Sequence, residues 1–414
     1  MNYFLIGIKG TGMSALAKIL YDKGNVVVGS DYEEKFFTEE GLGFAKIYPF
    51  NTFLDNYIYI IGNAFVGSND HIEVIKRGYE NYKYNEFISM LEGIHISISG
   101  THGKTTTTSL ITKIFCDEKI DYLIGDGNGK GILNNDYFIY EACEYKEHFL
   151  AYSPNFLVIN NIDYEHTDFY SDLNQYINAF QKLVYQSNIV LANGDCQNCR
   201  KLKGDNIIWF GYDSNNDYVI SVLDENFPKK IKIKHNNISY YFNIPFYGEY
   251  MVYNAACAII TGLIHNISDI QKKLYDFKFP KRRMEEYVIN GYTIIDDYAH
   301  HPTEIENTIK AIKEKYNKEI CLVFEPHMYS RTVDLLDDFI RVLSKQDVLF
   351  IKDVFTSVRE KKGGNVNFLI NKLSNAKYFT NIDELKVYKD RIIVFMGAGK
   401  IYENIFHFYE NQWK

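Results

Sequence analysis

Proline is scarce in this chain, with 7 in 414 residues, and no low-complexity linker or internal repeat is visible. Extended disorder is therefore not expected. Cysteine is also sparse: the 6 residues, at 116, 143, 196, 199, 257 and 321, make no dense framework. That usage fits a reduced, cytoplasmic protein. Cys196 and Cys199 form a C-x-x-C, but no second Cys/His pair at zinc spacing accompanies it. Positive charge is in deficit, 45 Lys and Arg against 53 Asp and Glu, for a net charge of -8. The balance argues against general nucleic-acid binding. No run approaches the roughly 18 apolar residues of a membrane-spanning helix. The start, Met1 to Gly7, lacks a basic lead and reads as a strand rather than a signal peptide.

Aromatic residues are plentiful, 35 Tyr and 29 Phe, and 46% of the chain is hydrophobic. A globular protein of two to four domains follows, at about 100–200 residues per domain. Its strongest motif is Ser99-Gly100-Thr101-His102-Gly103-Lys104-Thr105-Thr106-Thr107-Thr108. The run follows the apolar segment Ile94 to Ile98 and opens a helical pattern at Leu110, Ile111, Ile114 and Phe115. Strand, glycine turn, Lys-Thr and helix together cradle nucleotide phosphates. Lys104 reaches β/γ oxygens and the Thr105 hydroxyl takes a Mg²⁺ position. The spacing is Gly-x-x-Gly-Lys-Thr, shorter than the usual phosphate loop.

Three α/β blocks are expected, at 1–92, 93–279 and 280–414. The first begins with a strand at Tyr3–Ile6, a Gly7-Ile8-Lys9-Gly10-Thr11-Gly12 turn and a helix carrying Met13, Leu16, Ala17 and Leu20. A second strand, Val26 to Val28, leads to Ser30-Asp31, a Rossmann-like opening. Asp31 lies where an acidic residue often meets a ribose, or where it caps a turn. The central block alternates strands (Tyr137–Ala142, Phe156–Asn160, Ile189–Ala192, Ile207–Phe210) with helical spacing, which predicts a mainly parallel, P-loop-type sheet. Tyr218 to Phe242 reads as a small antiparallel patch, and Met251 to Ile264 as a buried helix. The third block has strands at Thr293–Ile295, Ile320–Phe324, Val348–Ile351 and Ile392–Phe395, a second Rossmann-like unit.

Polar residues crowd the carboxyl ends of these strands, where parallel sheets collect ligands. Glu141 and His166 are placed to hold a metal beside the phosphate loop, with Glu144 a competing carboxylate. Asp296-Asp297-Tyr298-Ala299-His300-His301-Pro302 follows an apolar strand and is poor core material. Glu325-Pro326-His327-Met328-Tyr329-Ser330-Arg331 repeats that logic, and Arg331 suits a carboxylate or phosphate. Lys281-Arg282-Arg283 binds phosphate or is a solvated basic turn.

Taken in order along nearly the whole chain, these motifs resemble the Mur ligases, the ATP-dependent amide ligases of peptidoglycan precursor synthesis. The Asp296–Glu304 and Pro326–Thr332 stretches resemble the L-alanine-adding branch and its tripeptide-recycling relative. The Glu141–Tyr145 form and Gly62-Asn63-Ala64-Phe65 look like the variant of Gram-positive anaerobes. The resemblance implies three domains, for UDP-sugar, ATP and amino acid. It implies ATP and Mg²⁺ as cofactors, UDP-N-acetylmuramate and L-alanine as substrates, and a monomer or homodimer free of membrane and nucleic acid. By the same resemblance, Gly7, Gly10, Thr11, Gly12, Met13, Ser14, Asp31 and Asn63 hold the UDP-sugar. Gly100 to Thr106, with Asn254, Arg283, Asp297 and Tyr298, serve ATP. Thr105, Glu141 and His166 hold metal; Lys104, His166, His300 and Arg331 act in catalysis; and His300, His327 and Arg331 face the amino acid. The pattern departs from the family at Tyr250-Met251, Glu165, Met328 and Lys400. Two alternatives stand beside the L-alanine reading: a murein tripeptide ligase, and a catalytically weak nucleotide-binding regulator.

Overall fold

Short apolar runs that alternate with amphipathic helical patterns leave strands needing cover on both faces, which a parallel sheet supplies. The computed structural model describes residues 1–34, 36–356 and 365–409 and contains three such sheets. The first is five-stranded and parallel, in the order Lys46–Tyr48, Val26–Ser30, Asn2–Ile6, Ile58–Ile61, Asn81–Lys83. The order reverses at Asn2–Ile6, so the Gly7–Gly12 turn opens at the switch point where such sheets bind ligands. Helix Thr11–Asp22 buries the expected Met13, Leu16, Ala17 and Leu20, with Ala15 and Ile19 beside them.

The second sheet has ten strands. Its centre is the pair Ile94–Ser99 and Phe156–Ile159, parallel and in register from Ile96↔Phe156 to Ser99↔Ile159. Tyr137–Glu141 and Ile189–Asn193 flank that pair, also in parallel. The expected antiparallel patch is three strands, Tyr218–Asp224, Lys229–His235 and Ile238–Ile244. Its middle strand alternates buried Ile231 and Ile233 with outward lysines, the period of a half-buried strand. Two strands absent from the sequence expectation, Ile120–Leu123 and Gly129–Lys130, close the other edge. The buried helix is Glu249–Ile264. A third sheet of six strands places Tyr292–Asp297, Ile392–Met396, Ile320–Phe324 and Val348–Ile351 in parallel, with Glu285–Ile289 antiparallel at one edge.

The α/β reading with three sheets therefore holds. Contacts group the chain into two compact units. One comprises 1–165, 169–245 and 253–277, with the first two sheets; the other comprises 166–168, 246–252 and 278–414, with the third. No described helix is long and apolar enough to cross a membrane.

Candidate active site

In the first unit, strand Ile94–Ser99 runs into a turn whose glycines adopt left-handed backbone, Gly100 at φ 127° and Gly103 at φ 79°. Only glycine takes these angles without strain. Helix Lys104–Ile114 starts directly after. The turn is held by the segment that follows strand Phe156–Ile159. The Thr101 N–H donates to the Asn161 carbonyl at 3.1 Å, and the His102 N–H to Asn161 Oδ1 at 2.8 Å. Asp163 adds two ties: its carboxylate meets His102 Nε2 at 3.1 Å, and its N–H donates to Thr101 Oγ1 at 2.9 Å. Thr106 is buried behind the turn.

The Lys104 ammonium donates to the carbonyls of Gly100 at 2.5 Å and Thr101 at 3.0 Å and pairs with Glu144 at 3.0 Å. Burial alone would lower this lysine's pKa; the Glu144 carboxylate outweighs it, so the ammonium titrates well above its ordinary range. Glu144 is 1% exposed and is thus Lys104's counter-ion. Glu141, at the end of Tyr137–Glu141, meets Thr105 instead: Thr105 Oγ1 donates to Glu141 Oε2 at 3.3 Å, while the Gly125 N–H donates to Oε1 at 2.6 Å. A hydroxyl and a carboxylate side by side form a hard-oxygen donor set suited to Mg²⁺. Asn254 belongs here too, since a Cβ on Gly103 would stand 2.9 Å from its Oδ1.

The residues expected to hold the UDP-sugar lie at the first sheet's switch point. Gly7 has φ 83°, and a Cβ there would stand 2.3 Å from the Phe65 ring. A Cβ on Gly12 would reach 2.6 Å from the Tyr84 hydroxyl. The Gly10 N–H closes the turn on the Gly7 carbonyl at 3.1 Å. Helix Thr11–Asp22 carries Thr11, Met13 and Ser14, with the Ser14 hydroxyl on the Thr11 carbonyl at 3.0 Å. Asp31 takes the capping role: its carboxylate accepts from the Lys9 N–H at 2.7 Å and the Tyr32 N–H at 2.8 Å. Burial raises the Asp31 pKa against those two bonds. Asn63 Nδ2 donates to Asn85 Oδ1 at 3.1 Å and approaches His148 Nδ1 at 3.3 Å.

Sequence reasoning missed Tyr84, His148 and the loop Gly125-Asp126-Gly127-Asn128-Gly129-Lys130-Gly131. The loop had a visible signal, glycine at every second position. A Cβ on Gly129 would stand 2.2 Å from the Ala15 carbonyl oxygen, and one on Gly131 2.4 Å from that of Ile19. The loop thus lies on helix Thr11–Asp22 at one end and on Glu141 at the other.

The second unit gathers the remaining predicted residues. Asp297 ends strand Tyr292–Asp297, and its carboxylate accepts from the Met284 N–H at 2.8 Å and the Ala299 N–H at 2.9 Å. Burial pushes its pKa up, opposed by the charge of Arg283. Arg283 stands 5.0 Å from the Tyr298 ring centre. Arg282, its neighbour, is buried and structural: it pairs with Asp296 at 3.2 Å and donates to the carbonyls of Gly397 at 2.6 Å and Gly399 at 2.9 Å. Asp296 is pushed up to about 7, mainly by burial. His301 caps helix Pro302–Tyr316 and Pro302 opens it, as the sequence pattern requires. His300 stands ring to ring with His327, centroids 5.6 Å apart, and His327 Nδ1 lies 3.1 Å from the Arg331 guanidinium. These three predicted residues are brought together. Met328, between them, is buried with φ 68°. His166 also has left-handed backbone, φ 58°, and groups with this second unit, whereas Thr105 and Glu141 belong to the first.

Three family models match the chain. Residues 2–93 match "Mur ligase family, catalytic domain", 98–262 "Mur ligase middle domain" and 282–399 "Mur ligase, glutamate ligase domain". The chain is 39% identical to the UDP-N-acetylmuramate--L-alanine ligase of Lactiplantibacillus plantarum, over 100% of this chain and 99% of that protein. Among solved structures, it resembles the UDP-N-acetylmuramate-alanine ligase of Thermotoga maritima with a TM-score of 0.82 at 23% identity, covering 100% of this chain and 99% of the other. It also resembles a murein peptide ligase of Psychrobacter arcticus, TM-score 0.71 at 21% identity, with 99% of each chain covered. At those identities the two structures speak for the fold.

Proposed function

The chain belongs to the Mur ligase family, and from that premise we propose that it joins L-alanine to the carboxylate of UDP-N-acetylmuramate at the expense of ATP, in the cytoplasm, as a step of peptidoglycan precursor synthesis. The observation that carries this reading is the full-length 39% identity to a protein of that name. The division of labour follows the three blocks: UDP-sugar at 1–92, ATP at 93–279 and amino acid at 280–414.

In this reading ATP supplies the phosphoryl group that converts the sugar carboxylate to an acyl phosphate, and the alanine amine then displaces phosphate. Such transfer depends on positioning and charge neutralisation rather than on covalent help from the protein. Gly100 and Gly103 let backbone N–H groups approach phosphate oxygens, and Lys104 offers an ammonium that Glu144 keeps charged. Thr105 and Glu141 would hold Mg²⁺, whose chemistry is to offset phosphate charge, and His166 would hold a second ion. Asn254, Arg283, Asp297 and Tyr298 would contact the nucleotide. Gly7 to Ser14 and Asn63 would hold the sugar nucleotide. His300, His327 and Arg331 would receive the amino acid, Arg331 gripping its carboxylate.

The test is phosphate release from ATP with UDP-N-acetylmuramate and a panel of amino acids, plus the tripeptide. Release with L-alanine is expected. Release with the tripeptide alone would replace the reading by the murein tripeptide ligase, and none with any nucleophile would favour a regulator. Discrimination against glycine is expected to be modest, since excluding or filling one methyl group is worth about 1–3 kcal/mol.

A further inference from the structure

The C-x-x-C has no part in the ligase reading, yet it sits under the segment that supports the phosphate loop. Strand Ile189–Asn193 leads into Gly194-Asp195-Cys196-Gln197-Asn198-Cys199-Arg200, which folds as a helical turn with the Arg200 N–H donating to the Cys196 carbonyl at 3.0 Å. Residues three apart on such a turn share a face. Cys196 is partly exposed and Cys199 fully buried.

Cys196 Sγ accepts the Ile162 N–H at 3.4 Å, and the Asn198 side chain donates to the Ile162 carbonyl at 2.9 Å. The next residue, Asp163, holds both His102 and Thr101 of the phosphate loop. One peptide unit therefore separates the sulfur's partner from the loop. The neighbouring Cys199 side chain and the Ile162 N–H bring the Cys196 pKa down to about 6 in spite of burial. Burial pushes Cys199 the other way. A low-pKa, reachable sulfur beside a buried protonated one has the chemistry of an attacking and a resolving thiol.

We propose that Cys196 and Cys199 are a peroxide-reactive dithiol whose oxidation to an intramolecular disulfide frees Ile162 and loosens the phosphate loop. The Cys196 thiolate attacks one peroxide oxygen, forming an S–O bond as the O–O bond breaks and hydroxide leaves. Cys199 sulfur then attacks the sulfenic sulfur, forming the S–S bond as the S–O bond breaks and that oxygen leaves as hydroxide. The two thiol protons end in water, so two thiols are oxidised while one peroxide is reduced to two waters. The disulfide has no thiolate to accept the Ile162 N–H.

The experiment treats the full-length reduced protein with an equimolar amount of hydrogen peroxide and maps its peptides. The expected result is loss of two hydrogens from the peptide bearing Cys196 and Cys199, before Cys116 or Cys143 is oxidised. In Cys199→Ser, a cyclic 1,3-dione should instead trap a sulfenic acid at Cys196. Amide exchange at Ile162 and across 100–105 should rise about tenfold, the scale of one lost buried hydrogen bond, and return with a dithiol reductant. Earlier oxidation at Cys116 or Cys143 would overturn the proposal. So would a disulfide that leaves exchange in those two segments unchanged, or a rise spread over the whole chain.

Discussion

Replacing Lys104 by Met removes the ammonium while keeping the aliphatic stem, and its cost can be worked from the pair Lys104–Glu144. The two charges lie 3.0 Å apart, with side-chain exposures of 16% and 1%. A pair this buried gains little over a well-packed apolar pair, because desolvation offsets the attraction. Breaking it from one side is different, since Glu144 then keeps a buried charge without its counter-ion, a loss of about 3–5 kcal/mol. The carbonyls of Gly100 and Thr101 lose a donor as well. Lys104→Met should therefore destabilise the protein by that amount in urea unfolding and abolish phosphate release. Adding Glu144→Gln should restore most of the stability and none of the activity. UDP-sugar affinity, followed by calorimetry, should change little in the double variant. A Lys104→Met protein less than about 1 kcal/mol below the parent, with no recovery in the double variant, would refute the pair as a buried ion pair.

Further outcomes can be checked separately. Glu141→Gln should cut phosphate release by about a hundredfold or more, by weakening the charge neutralisation that phosphoryl transfer needs, and should raise the Mg²⁺ concentration for half-maximal rate. Gly103→Ala forces a Cβ into left-handed backbone 2.9 Å from Asn254; a stability loss of about 1–2 kcal/mol and a higher KM for ATP are expected. Asp296 titrates near 7 folded against an ordinary value of 3.8, so the folded state binds more protons between those values. Its contribution then lowers stability as pH rises from 4 to 7, by on the order of 4 kcal/mol, and Asp296→Asn should flatten that slope in a pH series of unfolding curves.

The buried strands were legible because both faces are covered and the runs are continuously apolar, as in Phe156–Ile159 and Ile392–Met396. Lys46–Tyr48, Asn81–Lys83 and Ala376–Tyr378 were not, being three-residue edges with exposed polar positions. Ile120–Leu123 was hidden by a charge, for Asp121 is fully buried against Lys23 at 2.7 Å. Motif spacing pointed to Lys104 and Thr105 and a strand end to Glu141, positions that local backbone dictates, and Thr105 does stand beside Glu141. Neither signal could assign Glu144, which lies beyond the strand end where alternation stops, with left-handed backbone at Lys146 and Glu147 just after it. Adjacent Arg282 and Arg283 were equally ambiguous: only the third sheet's packing decides which guanidinium is buried under Gly397 and Gly399.

Surface loops are where chains ordinarily absorb insertions and length changes. The stretch from Gly125 to Gly131 has no such latitude. Its first residue is bonded to Glu141, and Gly129 and Gly131 lie where a single added carbon would strike the backbone of helix Thr11–Asp22. Its length is thereby fixed like the span of a strut between two anchorages. A tag, linker or epitope placed there is the wrong engineering choice; Asn236, at an exposed hairpin between Lys229–His235 and Ile238–Ile244, is the better one.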